Sequence, residues 1–124
     1  MLGGQLLTSS LAIIPHYNLL LAAYSHQHYL FSTQQPLIKQ TFALHSHNIK
    51  ALAYHAQTQL VHSVDSKGNL LSFTIKEDYS IDDLNKQIIK VDGEIRQCKI
   101  VFDEEGSPIV YALCKSGTLL HYHR

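Results

Sequence analysis

Histidine is the residue type in this chain with the most capacity for chemistry, since it occupies 9 of the 124 positions. Several of these residues form His-x-His pairs, at His26/His28, His45/His47 and His121/His123. Residues two apart on a strand point to the same face, so each pair offers two imidazoles to zinc or copper. A metal site also needs a third ligand and a carboxylate behind it, yet no Asp or Glu precedes Asp65. The histidines are therefore interpreted as structural or solvent-exposed, and neither a metal nor another cofactor is predicted.

The serines and cysteines show no pattern that is typical of nucleophilic catalysis. Ser9, Ser10 and Ser63 lie in strand-like contexts without the Gly-x-Ser-x-Gly turn that exposes a nucleophilic serine. Neither Cys98 nor Cys114 stands at a predicted helix start with a base nearby. The sequence therefore predicts no catalytic residue, and a protein that is not an enzyme.

Charge and cysteine content limit the class of partner. The 10 basic and 10 acidic residues balance, so no net field favours nucleic acid or an anionic membrane. The apolar run Leu19–Tyr24 is far shorter than the roughly 20 residues of a membrane helix. Cys98 and Cys114 lack CxxC spacing and resemble small buried hydrophobes of a reducing compartment, with a cross-strand disulfide as the less favoured alternative. An intracellular, cytoplasmic protein with protein partners is expected.

The elements that carry these residues repeat along the chain, in the segments Leu11–Phe31, Ile49–Phe73 and Ile95–Tyr122. Each segment runs as an apolar strand, a polar turn, a second apolar strand, a tight turn, and a third strand that ends in an aromatic residue. A period of roughly 40 to 50 residues with several strands per unit is the signature of a β-propeller blade. The sequence predicts an all-β fold: a partial or open propeller of about three antiparallel blades, forming one segment over residues 1–124.

The limits of the blades follow from the repeat. Outer strands are predicted at Leu37–Leu44 and Lys86–Val91, and the polar stretch Glu77–Asn85 is predicted as a long surface loop. Blade 1 is expected at about 6–44, blade 2 at about 45–92, and blade 3 at about 93–124 without its outer strand.

Glycines mark the tight turn between the second and third strands. Gly68 and Gly117 can take a positive φ without a Cβ clash, and Asp65 can accept backbone hydrogens at the start of its turn. In the first unit His28 stands at the glycine position, so that turn must be built differently.

The second unit, at His45–Tyr54 and Leu60–Phe73, resembles a WD repeat. In that family a Gly-His pair precedes the innermost strand, and the His hydrogen-bonds to an Asp of the turn between the second and third strands. The resemblance implies these roles for His45 and Asp65, and it places Phe73 where the family usually has Trp.

The same unit departs from the family pattern at several positions. Leu44 replaces the Gly, and Thr74 replaces the Asp that follows the aromatic residue. Asp65 lies three residues before Gly68 rather than directly before it. The first and third units match the family in strand pattern only.

Three blades are too few to close a ring, since propellers use about 4 to 8. The chain is expected to be a fragment of a longer propeller, part of a larger complex, or half of a six-bladed ring of two copies. In the last case the segment Gly4–Thr8 of each copy supplies an outer strand to the other.

The function expected is a non-catalytic protein-interaction or scaffold module. The loops His45–Asn48, Asp65–Lys67 and Asp92–Glu94 are predicted to emerge on one rim. The alternative is a metal- or small-molecule-binding propeller whose histidines converge in the central channel. The candidate partner-binding residues are His47, Asn48, Ser66, Lys67, Asp92 and Glu94.

Overall fold

The fold consists of strands in three separate antiparallel sheets. The computed structural model describes residues 11–34 and 38–123. Blade 1 holds strands β1 (Leu11–Ile14), β2 (Leu19–Tyr24), β3 (Gln27–Ser32) and β4 (Ile38–Phe42). Blade 2 holds β5 (Ile49–His55), β6 (Leu60–Asp65), β7 (Asn69–Ile75) and β8 (Ile81–Ile88), and blade 3 holds β9 (Ile95–Phe102), β10 (Pro108–Cys114) and β11 (Leu119–His123). The predicted all-β fold of about three antiparallel blades is confirmed.

Strands that follow one another in the chain are neighbours in each sheet, so every blade is a simple meander. A short 3-10 helix, Pro15–Tyr17, joins β1 to β2. No helix within residues 11–34 and 38–123 has the length and apolar character needed to cross a lipid bilayer. The strand predicted at Gly4–Thr8, the start of blade 1 near residue 6, Leu37 and Arg124 lie outside the described residues.

The hydrophobic core lies between the blades, because alternate side chains of each sheet point towards the next one. Between blades 1 and 2, Leu21 and Leu30 of the first sheet pack with Phe73 of the second. Between blades 2 and 3, Val64 packs with Val110. All five side chains are essentially buried. Each pair of neighbouring blades therefore forms its own core.

Backbone hydrogen bonds join neighbouring blades at one end of the strands, which we call the upper rim. The first residue of β5, Ile49, donates its N–H to the carbonyl of Ser25 in the β2–β3 turn (2.7 Å). The first residue of β9, Ile95, donates to the carbonyl of Ser66 in the β6–β7 turn (2.8 Å). The innermost strand of one blade thus begins on the turn of the blade before it, and the two connections are equivalent by repeat.

The bounds of one strand and the alignment of one residue differ from the sequence-based expectations. The outer strand of blade 2 is β8 at Ile81–Ile88 rather than Lys86–Val91, so the predicted loop Glu77–Asn85 is a strand from Ile81 onward, with Ser72 opposite Asn85. Its polar sequence fits an outermost strand, which needs backbone partners but leaves its side chains in solvent. In blade 1 the alignment of His28 with the turn glycine is wrong, because His28 lies within β3 opposite Ala23. The turn itself is built differently, as expected, with Ser25 at φ 59° instead of a glycine.

Candidate functional site

A buried chain of hydrogen bonds joins blades 1 and 2. The carboxylate of Asp65 accepts from His45 Nδ1 (2.9 Å). His45 Nε2 lies 2.9 Å from Ser63 Oγ, and the same hydroxyl lies 2.9 Å from His28 Nε2. The four residues are between 0% and 4% exposed, so the chain runs entirely through the interior.

The direction of the first hydrogen bond follows from the carboxylate at one end. Asp65 can only accept, so His45 carries a proton on Nδ1 and donates it. When this is the only ring proton of His45, its Nε2 accepts from the Ser63 hydroxyl, and the Ser63 oxygen accepts from His28 Nε2–H. His28 Nδ1 is buried without a hydrogen-bond partner. One continuous order of donors and acceptors is therefore consistent with the carboxylate at the end of the chain.

Asp65 also organises the β6–β7 turn. Its Oδ1 accepts from the backbone N–H groups of Lys67 (2.9 Å) and Asn69 (3.0 Å), and Asn69 Nδ2 donates to Oδ2 at 2.9 Å. Burial alone would raise the pKa of this carboxyl group, but the hydrogen bonds from His45 and Asn69 outweigh it and hold the pKa at about 2. The carboxylate is therefore charged under all ordinary conditions.

The buried imidazole rings of His28 and His62 are neutral. Burial, with the neighbouring His45 ring, lowers the pKa of His28 to about 3. Burial, with the neighbouring His55 ring, lowers the pKa of His62 to about 4. His62 Nδ1 lies 2.7 Å from Ser72 Oγ, while its Nε2 is buried without a partner.

The order Asp65–His45–Ser63 is that of residues that activate a serine nucleophile. Here, however, Ser63 is 0% exposed and its hydroxyl is held between two imidazoles. A nucleophile has to reach a substrate, and this hydroxyl faces only protein. The arrangement serves to satisfy buried polar groups and to hold two blades together.

The other sequence-predicted blade positions lie at turns or in the core. Phe73 is 0% exposed and its ring contacts the His28 ring edge-on, with 5.7 Å between centroids. Gly68 has φ +88°, and a Cβ there would lie 2.4 Å from the carbonyl oxygen of Ile89. Gly117 has φ +93° and open space where a Cβ would be. Both glycines meet the backbone requirement of the turn, and Gly68 also allows close packing against the segment that follows β8.

The structure brings the predicted partner-binding residues together on the upper rim. The Ser66 N–H donates to the Asn48 carbonyl (2.8 Å), which joins two of the predicted loops directly. Lys67 Nζ lies 3.5 Å from Glu94 Oε2, which joins the second loop to the third. Among these residues His47, Asn48, Lys67 and Asp92 are exposed, Glu94 is half-buried, and Ser66 is buried at 6%. Ser66 therefore contributes its backbone to the rim rather than an exposed hydroxyl.

The His-x-His pairs do not act as pairs. His45 is buried in the hydrogen-bonded chain while His47 is exposed, and His28 is buried while His26 lies in an exposed turn. Only at His121/His123 do both rings share a surface, with centroids 6.4 Å apart. In residues 11–34 and 38–123, no three His, Cys, Asp or Glu side chains are grouped so that they could hold a metal ion.

The cysteines are both free thiols. Cys98 in β9 lies opposite Ala112, and burial raises the pKa of its thiol to about 12. Cys114 is fully buried near the end of β10. A reactive cysteine is accessible and has a lowered pKa, whereas the pKa of Cys98 is raised and Cys114 is buried.

Sequence reasoning missed His28, Ser63 and His62 as polar core residues. The signal for Ser63 was its place between apolar residues Val61 and Val64 of a strand, where a polar side chain needs a buried partner. The alignment of the repeats equates His28 with the turn glycines Gly68 and Gly117, so it does not indicate a core position for His28. Alternation would have identified it, because His28 and the core residue Leu30 share one face of β3.

No protein-family profile matches the chain, and none of the curated proteins is similar to it in sequence. Solved structures are similar in fold. A chain of the mitotic checkpoint complex superposes with a TM-score of 0.67 at 16% identity, covering 92% of this chain and 35% of that one. Sqt1 of Saccharomyces cerevisiae gives 0.61 at 15% identity, with 91% and 34% covered. The WD40 domain of SCAP from fission yeast gives 0.61 at 15% identity, with 94% and 29% covered.

The present chain spans about a third of the length of these solved chains. At this identity the likeness concerns the fold. The predicted resemblance to WD-repeat propellers is confirmed at that level, because the neighbours are WD40 propellers and the three sheets align over nearly the whole chain.

Proposed function

We propose that this segment of a WD40-type β-propeller is a non-catalytic protein-interaction module that binds a protein partner through its upper rim. The contact surface consists of His47 and Asn48 before β5, Lys67 in the β6–β7 turn, and Asp92 with Glu94 before β9. The observation that carries the proposal is that loops of successive blades form one continuous polar surface. Solved neighbours in the mitotic checkpoint complex and in the complex of fission yeast SREBP and SCAP binding domains are consistent with protein partners.

Rigidity supports this assignment, because a preorganised surface loses little entropy on binding. Each loop is tied to the next by the backbone: Asn48 accepts from Ser66, Ser66 accepts from Ile95, and Glu94 accepts from Lys115 N–H (2.8 Å). Hydrogen bonds of the buried Asp65 hold the β6–β7 turn from below. The exposed side chains are therefore presented in fixed positions.

The charge pattern of the rim indicates the character of the contact. Glu94 lies between two lysines, with Lys67 Nζ at 3.5 Å and Lys115 Nζ at 3.0 Å from its carboxylate oxygens. Hydrogen bonds from Lys115 and the charges of both lysines lower the pKa of Glu94. A surface with both signs of charge beside amide and imidazole groups suits the polar part of a protein interface.

Site-specific photo-crosslinking in cells tests the proposal. A photoreactive phenylalanine analogue placed at His47 is expected to join the protein covalently to one or a few defined proteins. The matched control is Gln40, an exposed position in the outer strand of blade 1, at which those products should be absent. Equal products at both positions, or none at His47, would contradict the proposal.

The outer faces of the two end blades support a second part of the proposal, that further blades pack against this segment. In β1, Leu11 and Ile13 are 39% and 65% exposed on the face opposite the core. In blade 3, Tyr111 and Leu119 are 47% and 75% exposed on the face opposite blade 2. Sheet faces of this kind are covered in a closed propeller, by a second copy of this chain or by another polypeptide.

Light scattering after a sizing column distinguishes a second copy of this chain from another polypeptide as the source of the further blades. A species near twice the 14.0 kDa chain mass would support a ring of two copies, and Leu119→Glu should then reduce it to a monomer. Leu84→Glu is the matched control, because Leu84 is 53% exposed on the outer strand of blade 2. A wild-type monomer or aggregate would favour another polypeptide. An intracellular, cytoplasmic location remains part of the proposal.

A further inference from the structure

A cleft of about 310 Å³ opens between blades 2 and 3 at the end of the strands opposite the upper rim. Its volume is at the lower end of the range for small-ligand sites, about 300–1,000 Å³. The buried His62 and its partner Ser72 lie at the base, while the exposed carboxylates of Asp83 and Glu105 lie at the mouth. Residues of both blades therefore contribute to a single recess.

The base of the cleft contains an unsatisfied polar atom. His62 is 2% exposed, its Nδ1 lies 2.7 Å from Ser72 Oγ, and its Nε2 has no hydrogen-bond partner. Buried imidazole nitrogens are normally satisfied, because an unpaired polar group in the interior costs about 1–3 kcal/mol. When Nδ1–H donates to Ser72, Nε2 is an unpaired acceptor that lies closed off from solvent in the residue lining the base of the cleft.

The lining also offers acceptors and negative charge. The side chains of Asp83 and Glu105 are the only ones in the lining that carry a formal charge with His62 neutral, and both are negative. Asn85 adds an amide oxygen along the wall formed by β8, and Leu60 adds apolar surface. The amide oxygen of Gln87 in the same wall already accepts from the Tyr122 hydroxyl (2.7 Å). The recess is thus suited to a group that carries positive charge and several N–H donors, attached to an apolar stem.

The mouth is held open in a defined shape. Asp103 Oδ1 accepts from the backbone N–H groups of Glu105 (2.9 Å) and Ser107 (2.9 Å), which fixes the turn that carries Glu105. Gly106 in the same turn lies against the ring of His55, and a Cβ there would meet that ring at 2.6 Å. The turn of blade 3 is therefore anchored against blade 2.

We propose that this cleft binds the guanidinium group of an arginine side chain from a protein partner, with Asp83 and Glu105 supplying the negative charge and with the His62 ring shifting on binding so that its Nε2 becomes an acceptor at the base. Guanidinium has five N–H donors in a planar fork and no acceptor, which matches a recess whose walls offer acceptors from two sheets. Lysine is a compact, strongly hydrated point charge, and it satisfies fewer of these acceptors. The inference rests on the proposed function in one respect, namely that the binding partner is a protein.

The probe is a blocked tripeptide, acetyl-Ala-Arg-Ala-amide, titrated into the whole protein while the ring signals of His62 are followed by NMR. We expect saturable shifts of the His62 Nε2 signal at concentrations up to about 10 mM, the weak end of specific binding. The same peptide with citrulline, which keeps the shape and removes the charge, should bind at least about tenfold more weakly because charge-assisted hydrogen bonds are lost. The lysine peptide should also bind more weakly.

Variants separate the cleft from general charge. Glu105→Gln and Asp83→Asn should each weaken binding of the arginine peptide severalfold, while Glu104→Gln should leave it unchanged, because Glu104 is exposed and does not line the cleft. Equal binding of the arginine and citrulline peptides, or no saturable shift at His62, would overturn the inference. Crosslinking at His47 reports on the upper rim alone, so failure there and failure here are distinguishable.

Discussion

His28 and His45 share one hydroxyl group. The Nε2 atoms of both rings lie 2.9 Å from Ser63 Oγ, and the ring centroids are 5.6 Å apart. His28 belongs to β3 of blade 1, whereas His45 lies just before the first strand of blade 2. A buried polar contact therefore crosses an interface whose core is formed by aliphatic and aromatic side chains, and it specifies how the two blades align.

Replacing Ser63 with Ala is expected to lower the free energy of unfolding by about 1–3 kcal/mol, because two buried imidazole nitrogens lose their only hydrogen-bond partner on that side. Denaturant titration measures the loss. Ser116→Ala is the control, since it removes an exposed hydroxyl from a turn and should change stability by less than about 0.5 kcal/mol. Equal effects of the two substitutions would show that the shared hydroxyl is energetically unimportant.

Asp65→Ala should be more damaging than Ser63→Ala, with a loss of about 3–5 kcal/mol. The substitution leaves His45 Nδ1–H and two backbone N–H groups of the turn without an acceptor in the interior.

Asp103 provides the matched comparison for Asp65. It organises the β9–β10 turn in the same way and accepts from His123 Nε2 at 2.8 Å, but it lies at the surface. Asp103→Ala should therefore cause a clearly smaller loss, because water replaces the missing acceptor. Similar losses of unfolding free energy for the two variants in urea titrations would mean that burial does not determine how much such a turn aspartate contributes to stability.

The sequence was sufficient to predict the blades, because strand alternation and turn glycines are local signals. Segments with apolar alternation, such as Ile95–Phe102, became inner strands as expected. The outer strand of blade 2 was predicted too late in the chain, at Lys86–Val91 instead of Ile81–Ile88, because its side chains face solvent and its sequence carries no apolar period. Only pairing with β7 makes it a strand, and local composition does not reveal such pairing.

The buried polar chain was only partly predictable. The positions of His45 and Asp65 followed from a resemblance to WD repeats, yet the contact of Ser63 with His28 depends on the way blade 1 packs against blade 2. His28 and Ser63 are 35 residues apart in sequence. No local pattern reports such a contact, whereas a polar residue on a core face does indicate that a partner must exist.

Gly68→Ala should be much more destabilising than Gly117→Ala. Both glycines have φ near +90°, so each substitution places Ala in a left-handed backbone region at a cost of about 1 kcal/mol. At Gly68 the new Cβ would also lie 2.4 Å from the Ile89 carbonyl oxygen, and the hydrogen bond from Ile89 N–H to the Gly68 carbonyl (2.8 Å) would be disturbed.

Thermal and denaturant unfolding of the two glycine variants measures the difference. We expect Gly68→Ala to lose at least about 2 kcal/mol more than Gly117→Ala, in keeping with overpacking against a backbone atom. Equal losses would show that the segment after β8 moves away without cost, and that its contact with the turn does not contribute to stability.

Acidification should weaken the fold well above the pH at which carboxylates are protonated. An ordinary imidazole has a pKa of about 6.5. In the folded protein the pKa of His28 is about 3 and that of His62 is about 4, in both cases chiefly because of burial. Below pH 6.5 the unfolded chain therefore binds protons at these two residues that the folded chain does not, and the free energy of unfolding falls as pH falls.

The expected slope is about 1.4 kcal/mol per pH unit for each of the two histidines, developed between about pH 6 and pH 4.5. Urea titrations at pH 7.5, 6.0, 5.0 and 4.5, chosen to span the region between about 6.5 and 4, measure it. The two histidines together account for one part of the slope of the unfolding free energy against pH. His28→Gln and His62→Gln should each remove about half of that part, and the double variant should remove all of it. An unchanged slope in the double variant would mean that other groups cause the acid sensitivity. The Asp65 carboxyl group contributes mainly at lower pH, between its ordinary pKa of 3.8 in the unfolded chain and its pKa of about 2 in the folded protein.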